Sequence, residues 1–442
     1  MMRWVAVASV ALVTIAVATT GKTSVSNCFT EKRRISGGFQ TDLSGINGFG
    51  FDLYRQFSFK NTVENVFFSP YSIWASLALS YFGSAGNTKT QLEAKLGLTD
   101  KTSTLKLWRA LEMVYAQRAI KNPHYTFSMA SRVYFNNNLH LRPCITSIFY
   151  KELQSVDFSN VVGTAAAIND FVSSTTKGLI PQVVTPDDMV DALMMLVNAA
   201  YFKGIWMHRF QPSSTTNQKF FISPAHSVDV PMMNLRTYLR QTKSPQLGAQ
   251  ILELPYIGGD ISMLLLLPDE EGEIGFSRMV SALNGGTFFN LISKWSGQTV
   301  LVDVLLPKFR LEQTLKDELK ESLKNLGIND LFNISSANLT DFVVHEVLSV
   351  SKTIHKAFVE VSEEGTEAAA ATGQIGYTRF GFGKPRNNFL KFHCNRPFLF
   401  LIFDNQMKNV LFMGAYKHPA GDTRKGGSVF ENQTLAQIQK GK

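Results

Sequence analysis

Apolar and polar positions follow two rhythms along this chain, and the rhythms divide it. Phe49, Leu53 and Phe57 recur four apart, as one face of a helix should. From Ser69 to Gly83 nearly every residue is apolar or small, which predicts a helix buried on most sides. Ser69 fits its N-cap, Pro70 its first turn and Gly83 its C-terminal cap. Further helices are expected over residues 105–120, 165–176 and 315–326, the last ended by Gly327. Residues 193–206 barely alternate, which predicts a strand buried on both faces. Other strands are expected over 127–135, 230–233, 301–310, 357–361, 398–403 and 410–416. Residues 250–254 and 261–267 face each other across Tyr256-Ile-Gly-Gly-Asp as a hairpin. Helices dominate the first third and strands the last half, without a βαβ rhythm. The fold class is therefore α+β, with no linker or repeat to divide the chain.

One stretch does not fit either rhythm. Between the apolar strands ending at Val361 and beginning at Phe398 lies a connection of roughly thirty residues, a length generally reserved for functional or disordered loops. Its first half, Gly365 to Gly373, carries small residues with no bulky side chain and can pass between two strands without a clash. Thr366, Ala368, Ala370 and Thr372 alternate with Glu367, Ala369 and Ala371, so one uncharged face can turn inward. Its second half offers Arg379, Lys384 and Arg386 to a trypsin-like protease. A run of four alanines also favours helix, and that local preference conflicts with a strand.

Composition places the chain in a compartment. Arg3 precedes a short apolar run to Ala18 that ends in Ala16-Val17-Ala18, the pattern of a signal peptide over residues 1–18. Residues 19–44 read as a polar N-terminal arm, and 420–442 as a polar tail without a role. Asn333, Asn338 and Asn432 stand in glycosylation sequons. Secretion is the expected localisation. No later apolar run has transmembrane length, so no membrane partner is expected. Three cysteines, Cys28, Cys144 and Cys394, permit at most one internal bridge. A formal charge of +9 leaves association with polyanions such as glycosaminoglycans open. No block of like charge concentrates it; Lys106 and Arg109 share a helix face, but Arg118 does not.

Catalytic patterns are missing. There is no G-x-S-x-G elbow, His345-Glu346 lacks the second histidine of a zinc helix, and Gly48-Phe-Gly50 and Gly381-Phe-Gly383 lack the third glycine of a dinucleotide fingerprint. No metal-ligand spacing emerges. The chain is expected not to be an enzyme and to need no cofactor.

Seven motifs in register give the chain a family resemblance from about Gly45 to Pro419. They are Phe68-Ser-Pro-Tyr-Ser-Ile, Asn198-Ala-Ala-Tyr-Phe-Lys-Gly-Ile-Trp206, Leu254-Pro-Tyr, Leu306-Pro-Lys-Phe, His355-Lys-Ala-Phe-Val-Glu-Val, Glu364-Gly-Thr-Glu-Ala-Ala-Ala-Ala-Thr and Arg396-Pro-Phe-Leu-Phe. In this order they resemble the serpin family of serine-protease inhibitors. The resemblance implies one domain over 45–419, three β-sheets with eight or nine helices, and an exposed reactive-centre loop over about 363–391. It also implies a suicide mechanism: the protease attacks the loop, forms an acyl-enzyme, and is trapped when the freed loop inserts into the central sheet.

By that resemblance Gly365 opens the hinge as P15 and Thr366 is P14, with Glu367, Ala368, Ala369, Ala370 and Ala371 following. Fourteen residues past Gly365 the count reaches Arg379, which becomes P1, with Phe380 as P1′. Arginine there favours a trypsin-like protease, held as a covalent 1:1 complex. Arg386 is the rival bait. Ser69, Ser72, Asn198 and His355 match the shutter beneath the sheet, and Trp206 the breach at its top. The expected protein is a secreted monomeric inhibitor without nucleic-acid partners. The competing reading is a non-inhibitory carrier or storage serpin, which the small hinge residues oppose.

Overall fold

The computed structural model describes residues 28–29, 42–60, 64–293, 295, 299–366 and 389–419. Among these lie nine α-helices: α1 (Ser44–Lys60), α2 (Pro70–Gly83), α3 (Gly86–Leu96), α4 (Lys101–Lys121), α5 (Pro143–Ile148), α6 (Val161–Thr175), α7 (Gly272–Ala282), α8 (Gly285–Ser293) and α9 (Asp317–Asn325). Sixteen strands form three sheets. The main sheet contains β2 (Tyr125–Asn136), β3 (Leu153–Val156), β4 (Met194–Ile205), β11 (Phe309–Leu315), β12 (Lys352–Val361) and β13 (Gly365–Thr366), in the order β11-β12-β13-β4-β2-β3. The second contains β1 (Val66–Phe68), β7 (Gln241–Ser244), β8 (Ala249–Pro255), β9 (Ile261–Pro268), β15 (Phe398–Asp404) and β16 (Asn409–Tyr416), ordered β1-β16-β15-β9-β8-β7. The third is β14-β10-β6-β5, from β5 (Thr216–Ser223), β6 (His226–Leu239), β10 (Val300–Pro307) and β14 (Leu390–His393). The α+β class stands.

The two most apolar elements explain each other. Helix α2 packs against β2 and β4 on one side and β16 on the other, and each of its residues is buried. Strand β4 presents Leu196, Ala200 and Phe202 to that core. Its alternate residues Met195, Val197, Ala199 and Tyr201 meet Ile168 and Val172 of α6. Covered on both faces, it has no reason to alternate.

Three expectations fail locally. Gly83 is the last helical residue of α2 rather than its cap. The cap is Ser84, and the glycine is needed because a Cβ would lie 2.0 Å from the Phe342 ring. The apolar run 301–310 is two strands in different sheets, β10 and β11, which part at Pro307 and Lys308. Proline cannot donate to a continuing ladder, and the Lys308 N–H turns instead to the Pro231 carbonyl. Leu315 then ends β11, so the following helix starts at Asp317.

Of the three cysteines, Cys28 and Cys144 form a disulfide with Cα atoms 5.6 Å apart, and Cys394 is a buried free thiol.

Candidate functional site

The site is a seam between β4 and β12, where the hinge meets the main sheet. The two strands pair directly, in parallel, from Lys352 opposite Met195 to Phe358 opposite Tyr201. Above that level they part, and β13 lies between them. Thr366 is paired with both Val361 and Gly204, and Gly365 with Ile205. The sequence makes this wedge fit. A Cβ on Gly365 would stand 1.9 Å from the Gly204 carbonyl oxygen, so only glycine lets the backbones approach. Thr366, fully buried, is small enough to follow it.

Trp206 frames the wedge. Its indole N–H donates to the Ser362 carbonyl at 2.9 Å, and its backbone N–H donates to the Glu364 carbonyl at 2.9 Å. Its ring stacks on Tyr256 with centroids 4.5 Å apart, and the Tyr256 hydroxyl hydrogen-bonds Thr366 Oγ1 at 2.6 Å. Glu363 pins the turn above: its carboxylate accepts from Lys308 Nζ at 2.8 Å and from Thr215 Oγ1 at 2.9 Å. Burial pushes this carboxyl upward, but hydrogen bonds from Lys308, its own backbone N–H and Thr215 outweigh burial and hold it below the usual carboxylate range.

Seven residues down β4 from Ile205, about 23 Å at the usual strand rise, lies a closed polar cluster in the apolar core. Here Ser69, Ser72, Asn198 and His355 meet. His355 is opposite Asn198 across the β4–β12 ladder. Its Nε2 accepts from the Ser69 backbone N–H at 3.1 Å, which fixes the remaining proton on Nδ1, 2.5 Å from Asn198 Oδ1. That same oxygen accepts from the Ser72 hydroxyl, while Asn198 Nδ2 donates to the Ser72 carbonyl at 3.1 Å and to Ser131 Oγ. Ser69 Oγ donates to the Leu411 carbonyl at 2.6 Å, tying the cluster to the second sheet. Every polar atom of His355 and Asn198 is thus matched, as a buried network requires. Full burial drags the imidazole down to a pKa of about 3, so it is neutral at physiological pH.

The structure therefore gathers two groups: Ser69, Ser72, Asn198 and His355 below, and Trp206, Gly365 and Thr366 above. Glu367, Ala368, Ala369, Ala370, Ala371, Arg379, Phe380 and Arg386 lie outside the described residues, as do the leader over 1–18 and Asn432. Asn333 is exposed. Asn338 is half-buried, its side-chain oxygen accepting from the Thr340 hydroxyl at 2.8 Å. Sequence reasoning did not find Tyr256, Lys308, Thr215, Ser131 or Ser362. Tyr256 and Lys308 lie inside motifs quoted for the resemblance, but nothing in their spacing signals contact with the hinge.

On α4, Lys106 is exposed, whereas Arg109 pairs with Glu112 and Glu152, and Arg118 with Asp404. Two of the three basic side chains are thus engaged with carboxylates. Among the described residues no group of three or more histidine, cysteine, aspartate or glutamate side chains is placed to hold a metal ion.

Comparison with known proteins bears on this geometry. A family model described as serpin (serine protease inhibitor) matches residues 44–419. The human leukocyte elastase inhibitor is 33% identical over 387 residues, covering 85% of this chain and 99% of that protein. Serine protease inhibitor 88Ea of Drosophila melanogaster is 32% identical over 375 residues, covering 80% and 86%. Among solved structures, Serpin48 of the insect Tenebrio molitor superposes with a TM-score of 0.71 at 27% identity, covering 85% of this chain and 97% of that one. The three sheets and nine described helices are the serpin fold, whose members need no cofactor. One expectation is corrected by these matches. Missing motifs led to a bare negative, that the chain is no enzyme. In its place stands a positive statement that absent motifs do not establish: the chain is matched to inhibitors of serine proteases.

Proposed function

This chain belongs to the serpin family of serine-protease inhibitors, and we propose that it is a secreted suicide-substrate inhibitor of trypsin-like proteases. The observation that carries the reading is β13: Gly365 and Thr366 already occupy the top of the seam into which a cleaved loop would travel. A hinge so seated needs only to extend its register downward, and the small residues from Ala368 to Ala371 suit that path. The small hinge residues, with no bulky or proline side chain from Ala368 to Ala371, oppose the carrier reading.

Arg379 is the bait in this reading. The count from Gly365 supports it, and a guanidinium suits a specificity pocket that holds a carboxylate. Attack by the protease serine forms an ester with the Arg379 carbonyl and releases the amine of Phe380. Insertion of the freed arm then distorts the protease before water can hydrolyse that ester. Secretion is supported by the Cys28–Cys144 disulfide, since such bonds persist in oxidising compartments. Exposed Asn333 suits a glycan.

Incubation with trypsin tests the proposal. The expected result is a covalent adduct that survives denaturing electrophoresis, with a released C-terminal peptide beginning at Phe380 by mass spectrometry. Complete cleavage without an adduct would refute inhibition, and a peptide beginning at Asn387 would move the bait to Arg386.

A further inference from the structure

We propose that the Cys28–Cys144 disulfide, with Phe29, is a redox-dependent brake on opening of the main sheet. It rests on the reading above in one respect, that an opened sheet is what admits the loop. The hinge wedges β12 from β4, so opening moves β4, β2 and β3 away from β12 and β11. Helix α5 connects β2 to β3 and must travel with them; Cys144 lies in its first turn. Helix α2 packs on β2 and β4, and Ser72 holds Asn198 of β4, but its N-terminus is tied to the other side, so opening must slide those strands over it. Its N-cap residue Ser69 bonds His355 of β12 and the Leu411 carbonyl of the second sheet.

Residues 28 and 29 bridge α5 and α2, and so oppose that sliding. Cys28 is bonded to α5, and the next residue, Phe29, stacks at 5.9 Å on Phe82 near the end of α2. The same corner holds an ionic tie. Arg142, two residues before Cys144, donates to Asp341 Oδ1 at 2.9 Å, and the other oxygen of Asp341 takes the ammonium of Lys101. Lys101 also donates to the Ser84 carbonyl just past α2. Lys101 and Asp341 are both buried, and the Phe29 ring lies 5.4 Å from that ammonium. Phe29 therefore helps to keep water from an ion pair whose strength depends on dryness. Loss of the disulfide removes the covalent tie and frees the ring that shelters the ionic one.

The chemistry is thiol–disulfide exchange. A dithiol reductant attacks one sulfur of the bridge, the S–S bond breaks, and the second thiol closes the reagent into its own cyclic disulfide. Two electrons and two protons pass from the reagent, leaving Cys28 and Cys144 as thiols. Cys394, buried and already reduced, is not involved.

The test compares the full-length oxidised protein, the same protein after dithiol treatment in the folded state, and the Cys28→Ser/Cys144→Ser double variant. Hydrogen exchange is read at the paired amides of 352–358 and 195–201, and trypsin-adduct yield after warm incubation is read alongside. Seam exchange is expected to rise roughly tenfold on reduction and in the double variant, with the second sheet unchanged and adduct yield decaying sooner. Phe29→Ala, disulfide intact, is expected to fall between. Equal seam exchange in all forms would overturn the brake, as would equal acceleration throughout the second sheet. Faster seam exchange with no adduct from any form would leave the brake standing and remove the inhibitor reading instead.

Discussion

A single proton on His355 should loosen this molecule. In the native chain the imidazole is fully buried, with Nδ1 donating to Asn198 and Nε2 accepting from the Ser69 N–H. A second proton would have to go on Nε2, where it faces that N–H and strands it without an acceptor. Burial places the native pKa at about 3, against about 6.5 in an unfolded chain. The folded value is the lower one, so the unfolded chain binds the proton first as pH falls. Stability from this residue is complete above pH 6.5 and is lost as the pH drops towards 3. At about 1.36 kcal/mol per pH unit, the loss is about 2 kcal/mol at pH 5 and about 4 kcal/mol at pH 3.

Carboxylates also titrate in this range, so the measurement is a difference. Urea unfolding of the wild type and of His355→Gln, followed from pH 7.5 to 4, should give a variant slope shallower by about 1.36 kcal/mol per unit below pH 6. Identical slopes would refute a buried neutral histidine. The variant His355→Ala leaves the Ser69 N–H and one contact of Asn198 Oδ1 unmatched. It should cost about 2–4 kcal/mol at neutral pH and raise the fraction of latent or polymeric protein on native electrophoresis. An unchanged monomer fraction and melting temperature would count against that role.

Two other changes probe the top of the seam. Thr366→Arg removes the partner of the Tyr256 hydroxyl and places a charge where the native residue has no exposure. A cost of about 3 kcal/mol would slow insertion about 150-fold, so trypsin should yield cleaved chain instead of adduct; undiminished adduct would contradict the seam. Lys308→Ala leaves the Glu363 carboxylate with Thr215 and should weaken the hinge anchor by about 1 kcal/mol. Trypsin should then react a few-fold faster at low salt, with the gain shrinking at high salt, and an unaltered rate at low salt would dismiss the anchor.

Much of this fold is legible where local pattern and tertiary environment agree. The unalternating run of β4 and the apolar length of α2 announce their burial because each is covered on all sides. The hairpin at Tyr256 is legible because Gly258 and Gly259 adopt positive φ. Pattern fails where two physical causes share one residue type. Gly83 looks like a cap yet serves the Phe342 ring, and Pro307 sits in an apolar run that gives no sign of changing sheets. The shutter group was legible only as separate motif positions. Its bonding, including Ser131, depends on the register of β2 and β12 against β4. The pairs Arg109–Glu152 and Arg118–Asp404 were not legible because their carboxylates are remote in sequence.

The register of β13 also links the two ends of the seam. Thr366 faces Val361 and Gly204. Extended without a slip, the inserted state of the proposed mechanism sets Ala368 beside Val359 and Phe202, and Ala370 beside Ala357 and Ala200. Six residues below Thr366 it sets Thr372 between His355 and Asn198, which are already opposite each other in the native ladder. Even-numbered residues share the inward face, so two methyl groups traverse the apolar part of the path and a hydroxyl arrives at the polar part. That hydroxyl can accept from His355 Nδ1 and donate to Asn198 Oδ1, replacing the bond that insertion breaks. The closed cluster thus resists entry until the arm has advanced far enough to satisfy it. From Phe358 and Tyr201 downward the native seam has one ladder, whereas an inserted strand would have two. On this view the barrier resides largely in a few side chains at His355, and the driving force in the backbone ladder still unformed above them.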